Sequence, residues 1–483
     1  MNYRVVLNII GKCMLIVACL MLAPVLVGLI YEENVFSSFF IPIAILLAIG
    51  FPLSKIKAKE GNIYTKEGLV SVALVWIIMS LFGALPFIID GVIPNYIDAL
   101  FETVSGFTTT GATILTDVEI LNKSLAFWRI FTHYIGGMGV IVFILAILPN
   151  DKGAMHIFRA ESPGPIASKL VSKMSHTARI LYLIYLSLTG LEIIFLSFSG
   201  IGLYDAVVCS LSTAGTGGFS IYNDSIAHYG NVYVEMVVAV FMMLFGINFN
   251  VYYLILIGSV SKALLSEELR AYIIIVVVST LLIAVNILSL CDNFGQAVRY
   301  SFFQVNSVSS TTGFMTKDFD AWPSFSKVII AFLIMTGACG GSTGGGLKVS
   351  RLSILVKSTF SDIKRAFNSR AVVTTKFEGK PLTKDNENSI KAYFIIWGTI
   401  LVLSTLLLSI DSFASSDLLT NFSASLTCLG NVGPGFNLVG PTMNFAGYSF
   451  FSKILLSLVM LIGRLEIFPI LILFSVRTWK KAG

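Results

Sequence analysis

Charge is scarce in this 483-residue chain: Asp, Glu, Lys and Arg make up only 12% of it, against about 25% in ordinary soluble domains. Histidine is nearly missing, and the four copies, His133, His156, His176 and His228, are dispersed. The six cysteines, Cys13, Cys19, Cys209, Cys291, Cys339 and Cys428, form no CxxC pair and no metal-ligand spacing. These gaps leave no basis for a zinc site or a hydrolytic triad, and the cysteines read as small apolar packers. No cluster of nucleophiles, acid/base pairs or metal ligands suggests an enzyme. A scaffold or receptor would leave the loop pattern described below unexplained.

What abounds is apolar length. Mean hydropathy is +0.85 and 55% of residues are hydrophobic. Runs near 7–30, 37–53, 69–90, 126–148, 180–200, 231–258, 271–290, 324–336 with its continuation, 391–410 and 449–475 are of the order needed to cross about 30 Å of hydrocarbon. They predict about ten spanning helices. No small-residue cleavage site follows the first apolar run, which therefore reads as a retained helix. With the N-terminus inside, the predicted cytoplasmic segments hold 26 of the 33 basic residues, so both termini are expected in the cytoplasm. This asymmetry accounts for the net charge of +6 without a nucleic-acid partner.

Four loops share one design: Thr108-Thr109-Thr110-Gly111-Ala112, Thr216-Gly217-Gly218-Phe219, Thr311-Thr312-Gly313-Phe314 and Asn431-Val432-Gly433-Pro434. Six positions before Gly111, Gly218, Gly313 and Gly433 stand Ser105, Ser212, Ser307 and Thr427, a hydroxyl each time. Phe101-Glu102 precedes Gly111 by the interval at which Phe303-Gln304 precedes Gly313, as copies of one unit would. Each loop follows a short run, such as Tyr96 to Phe107 or Tyr204 to Ala214, too short to span and of re-entrant length. Non-helical backbone at membrane depth survives only inside protein or against water, so the four loops are expected to converge on one wet axis. Glycine permits φ > 0 and lets carbonyls replace an ion's hydration shell. No loop tip carries a carboxylate or a basic residue, which argues against carboxylate-ring divalent selectivity and against an anion pore.

The loops together with Gly340-Gly341-Ser342-Thr343-Gly344-Gly345-Gly346-Leu347-Lys348 and Gly430-Asn431-Val432-Gly433-Pro434-Gly435 resemble the superfamily of potassium transporters that includes TrkH and KtrB. The likeness covers nearly the whole chain, and the extra N-terminal helices resemble TrkH more. It implies an all-α polytopic fold with four pseudo-symmetric helix–pore loop–helix repeats around one pore: an N-terminal pair over 1–65 and repeats over 66–176, 177–265, 266–388 and 389–483. It further implies passive or gradient-driven, symporter-type potassium uptake in a bacterial inner membrane. The implied selectivity filter is Thr109, Thr110, Gly111, Thr216, Gly217, Gly218, Thr311, Thr312, Gly313, Asn431, Val432 and Gly433. Potassium, as substrate and with no organic cofactor, would bind at Thr110, Gly111, Gly217, Gly218, Thr312, Gly313, Val432 and Gly433. The implied assembly is a homodimer among membrane lipid, with a cytosolic nucleotide-binding ring of TrkA type. Loop two, taken from Gly215 as Gly215-Thr216-Gly217-Gly218-Phe219, has three glycines and loop four lacks the Thr-Thr pair, which leaves a less symmetric filter than a tetrameric channel's. Relatives that admit sodium often carry serine at the first-loop glycine; Gly111 here favours potassium, with a sodium-permeable pathway as the alternative.

Gly337 to Gly346 holds six glycines in ten positions, each costing a helix about 1 kcal/mol relative to Ala, so the third repeat's second helix should break there. A phosphate loop is disfavoured because no Gly-Lys-Ser/Thr follows and no strand precedes. The remaining readings are close packing and an obstructing intramembrane loop formed by Gly340, Gly341, Ser342, Thr343, Gly344, Gly345 and Gly346, which the resemblance favours. Arg464 lies in the last apolar run and is expected to meet that loop's carbonyls or the permeation path, with a structural ion pair as the alternative. Glu466, two positions on, is a poor intrahelical partner for it. Arg129 and Glu192 read as structural. The basic stretch Lys348–Lys391 is either a solvated connection or a docking surface, and the linker from Lys152 to Arg179 is open in the same way.

Overall fold

The computed structural model describes residues 1–56, 65–139, 174–368, 374–411 and 417–479; the linker from Lys152 to Arg179 lies largely outside them. The chain is an all-α polytopic membrane protein; among the described residues the exception is one antiparallel pair of two-residue strands at Lys376–Phe377 and Lys380–Pro381. Each repeat has a leading helix, a short pore helix, a loop and a trailing helix. Six helices among the described residues are long and apolar enough to cross a membrane: Tyr3–Ile30, Phe36–Ser54, Lys66–Asp90, Thr177–Ser197, Glu267–Asn286 and Lys384–Leu408. The last four are the leading helices.

The remaining apolar runs belong to trailing helices, and these break. The first, Lys123–Met138, ends at Gly139 with φ +80. The second splits into Val232–Phe245 and Phe249–Leu256, bent by 89°. The third stops at Thr336 and resumes as Val349–Phe367. The fourth, Phe450–Arg464, gives way at Glu466 and Ile467, both at positive φ, before Phe468–Phe474. Arg464 thus ends a helix rather than sitting within one, and residues 348–367 are mostly helix rather than open linker.

The pore helices, Tyr96–Phe107, Leu203–Gly215, Phe294–Ser309 and Leu418–Gly430, rise about 1.5 Å per residue and are too short to cross the hydrocarbon. Three are started by a side-chain cap, from Asn95, Asn293 and Asp417, which occupies otherwise orphaned N–H groups. The N-terminal pair lies against the first repeat: Glu33 accepts from the N–H groups of Lys123 and Ser124 (2.7 and 2.9 Å) and so caps the first trailing helix.

Charged side chains tie the repeats where they meet. Arg299 pairs with Glu235 (3.3 Å) between repeats two and three. Asp320 pairs with Lys327 of its own repeat (2.8 Å) and accepts from the Asn437 N–H of repeat four (2.8 Å). Lys453 of the fourth trailing helix meets Asp98 of the first pore helix at 2.6 Å and closes the circle of repeats. Lys453 is nearly buried and Asp98 partly exposed, so Asp98→Leu should cost about 1–3 kcal/mol, less than a fully buried pair. Thermal unfolding in detergent checks this: the midpoint should fall for Asp98→Leu and largely recover in Asp98→Leu/Lys453→Leu.

Candidate functional site

The four pore helices end in one backbone form. The second residue before each loop glycine is left-handed, at Thr109 (φ +55), Thr216 (+53), Thr311 (+62) and Asn431 (+54), and the glycines themselves have φ +82, +78, +85 and +100 in chain order. The N–H of the residue between them reaches back five positions: Thr110 to the Ser105 carbonyl, Gly217 to Ser212, Thr312 to Ser307 and Val432 to Thr427, at 2.8 to 3.1 Å. The hydroxyl residues picked out by spacing are thus the residues whose carbonyls hold the loops. Helix C-termini, the negative ends of the dipole, lead into all four.

The loops close a ring in sequence order. A Cβ on Gly111 would collide with the Gly217 carbonyl, one on Gly218 with that of Thr312, one on Gly313 with that of Val432, and one on Gly433 would come within 2.7 Å of the Thr110 carbonyl. Each glycine therefore leans on the main chain of the next loop, and only a residue without a side chain can. All four glycines line a cavity of about 140 Å³ on the side where the loops lead outward. Thr110, Thr312 and Val432 are buried behind them, whereas Gly111, Gly218 and Gly313 keep partial exposure.

Side chains behind the ring fix it. Thr108 and Thr110 share a hydroxyl hydrogen bond of 2.8 Å, and Ser310 and Thr312 one of 2.7 Å. The Asn431 amide donates to the Thr110 hydroxyl and to the Met460 carbonyl, both at 3.0 Å, joining loops four and one. Glu102, noted in sequence only for its register, accepts from the Thr113 hydroxyl and the Ile114 N–H (2.9 Å each) and pairs with Arg129 at 2.6 Å. Gln304 holds the same register in repeat three, yet its amide has no hydrogen-bond partner among the described residues. Glu192 is buried in its leading helix and forms no ion pair among the described residues.

On the opposite side the four helix breaks meet. The glycine-rich loop crosses to the second trailing helix through Cys339 N–H to Gly246 O and Phe249 N–H to Gly341 O, each 3.1 Å. Glu268 accepts from the Gly340 N–H (2.6 Å) and from Asn248 (3.2 Å). Lys348 donates to the Gly344 carbonyl within the loop. The Gly345 N–H donates to the Thr311 hydroxyl at 2.7 Å, linking this loop directly to a ring residue. Arg464 donates to the Thr343 carbonyl (2.7 Å) and to the Gly136 and Gly137 carbonyls (2.5 and 2.7 Å), the last turn of the first trailing helix. A guanidinium is well suited there, since helix C-terminal carbonyls carry partial negative charge and no acid is required. Glu466 instead pairs with Arg351, which lies over Tyr393. Gly341, Ser342, Gly344, Gly345, Gly346 and Arg464 line a second cavity, of about 80 Å³.

Glu268, Asn248 and Arg351 carry no local signal in the sequence, because the contacts Asn248–Glu268 and Arg351–Glu466 join different repeats. All twelve residues of the expected filter sit in or beside the ring, and residues 340–346 come together with Arg464 at the helix breaks. This arrangement of backbone carbonyls can replace the hydration shell of a bare cation.

The family model described as TrkH, cation transport protein, matches residues 32–481. The "Trk system potassium uptake protein TrkH" of Salmonella typhimurium is 33% identical over 494 residues, covering 100% of both chains. The protein of the same name from Vibrio parahaemolyticus is 34% identical, covering 99% of this chain and 100% of its own. The crystal structure of the potassium transporter TrkH from Vibrio parahaemolyticus superposes with a TM-score of 0.90 at 31% identity, over 99% of this chain and 100% of that one. Matched over nearly its whole length, the chain belongs to the TrkH family of cation transport proteins, which are transporters and not enzymes.

Proposed function

We propose that this chain carries potassium into the cell across the bacterial inner membrane, with the four-loop ring as its selectivity filter. The observation that carries the reading is the closed contact of each loop glycine with the carbonyl of the next loop. The carbonyls of Thr110, Gly217, Thr312 and Val432, with those of Gly111, Gly218, Gly313 and Gly433, would be the ligands of the dehydrated ion. A ring braced by contact between its own main chains resists shrinking onto a smaller ion, which favours potassium over sodium. Support also comes from the names of the relatives, which are potassium uptake proteins.

Beneath the filter, residues 340–346 would obstruct the path while Arg464 holds Thr343 to the first trailing helix. Opening would require that latch to release. The reading extends, on the placement of Lys and Arg, to both termini in the cytoplasm, and, on the resemblance alone, to a homodimer and to a TrkA-like nucleotide-binding ring. The basic helix Val349–Phe367 and the stretch after it offer that ring a lever on the loop to which they are joined. Coupling to a second ion, as in a symporter, belongs to the same proposal. Sodium permeation is the competing reading, and filter variants decide between them.

Two predictions follow from the ring and the latch. In proteoliposomes, Gly111→Ser should lower the potassium-to-sodium flux ratio by about tenfold or more, because one misplaced ligand of a desolvated ion costs at least as much as a lost buried hydrogen bond. Gly433→Ser should lower it less, since its Cβ would meet a carbonyl at 2.7 Å rather than in outright overlap. An unchanged ratio for both would refute the filter. Separately, Arg464→Ala should raise basal potassium flux several-fold at equal protein density, and unchanged flux would remove Arg464 from the gate.

A further inference from the structure

The second loop is built differently from the others. Where loops one, three and four carry Thr110, Thr312 and Val432, it carries Gly217. Gly217 does not have positive φ, so backbone conformation does not demand glycine there. Space does: a Cβ at Gly217 would overlap the ring of His133, which comes from the first trailing helix. The side chain missing from loop two is replaced by an imidazole from the neighbouring repeat.

That imidazole is fully buried and bonded at both nitrogens. Nδ1 lies 2.7 Å from the Gly106 carbonyl at the end of the first pore helix, and Nε2 lies 3.2 Å from the Phe219 nitrogen in loop two. A carbonyl only accepts and an amide N–H only donates, so Nδ1 carries the hydrogen, Nε2 presents its lone pair and the ring is neutral. Phe219 also lies against the imidazole, with ring centroids 4.1 Å apart.

One helical turn earlier on the same helix, Arg129 makes a second, parallel bridge. Its Nε meets Glu102 at 2.6 Å, its Nη1 donates to the Ser220 carbonyl at 3.0 Å, and its guanidinium lies 3.5 Å from the centroid of Phe219. Glu102 and Gly106 are four residues apart on the pore helix, as Arg129 and His133 are on the trailing helix. The two bridges are therefore rungs of one ladder, from the first pore helix through the trailing helix to consecutive residues of loop two. Arg129 and Glu102 are 3% and 0% exposed, so an unmade bond there has no water to replace it.

We infer that Arg129 and His133 are positioning residues that set the carbonyls of loop two, and through them the preference for potassium over sodium. The inference rests on the filter reading above. Loops one and three hold this position with a hydroxyl pair of their own; loop two borrows both rungs from repeat one.

The test is potassium and sodium flux in proteoliposomes holding the full chain as His133→Phe, Arg129→Lys or Gly111→Ser, beside the wild type. His133→Phe keeps an aromatic ring against Phe219 and removes both hydrogen bonds. Arg129→Lys keeps the charge beside Glu102 and removes the fork to Ser220. The potassium-to-sodium ratio should fall by about tenfold for His133→Phe and by a smaller factor for Arg129→Lys, at wild-type elution in detergent. Should His133→Phe fail to fold, Arg129→Lys carries the test alone. A ratio unchanged in these variants while Gly111→Ser lowers it would overturn the ladder and leave the filter standing. A ratio unchanged in all three would overturn both.

Discussion

Everything in this structure depends on a main-chain contact, the leaning of each loop glycine on the carbonyl that precedes the next glycine around the ring. Four chain segments that are neither helix nor strand meet at membrane depth, where unpaired backbone groups are costly. They are tolerated because each loop returns at least two N–H groups to its own pore helix and lies against its neighbour. The short pore helices, the broken trailing helices and the charged seams all serve to bring those four ends to one axis. A side chain at any of the four glycines enters space that a neighbouring carbonyl occupies, so the ring has little tolerance for substitution.

The two sides of the ring differ. On the side of the loops the backbone is close to fourfold, with the same φ pattern repeated in every loop. On the side of the helix breaks, among the described residues, only repeat three has the glycine-rich crossing and only repeat four has the arginine that ties it. The two sides are joined, because the Thr311 hydroxyl of the ring receives the Gly345 N–H of the crossing. They are joined again through the first trailing helix, which carries His133 against loop two and, at Gly136 and Gly137, the carbonyls that hold Arg464. A displacement at the Arg464 contacts can therefore reach the ring by two routes, through Thr311 and through the first trailing helix.

Much of this was legible in the sequence because it is local. The hydroxyl six residues before each glycine marks a bond that closes within a single turn, although the group that accepts is the main-chain carbonyl of that residue and not its hydroxyl. Glycine runs announced the break after Thr336, and apolar length announced the leading helices. What was not legible depends on distance along the chain. Arg129 finds Glu102 27 residues away and Ser220 91 residues away, and His133 finds Phe219 86 residues away. Nothing in the composition around a lone histidine reveals that it fills the place of a missing side chain at Gly217. Likewise Arg464 looked like a charge inside a spanning helix, whereas it terminates one and is balanced by helix-end carbonyls.

The most direct test of the ring as an ion site is a crystal of the full chain grown in rubidium or thallium, with anomalous scattering recorded. The account predicts density on the ring axis, coordinated by the carbonyls of Thr110, Gly217, Thr312 and Val432, and its loss when sodium replaces the heavier ion. Ordered loops with no anomalous peak between those carbonyls, or a peak only elsewhere in the protein, would contradict it.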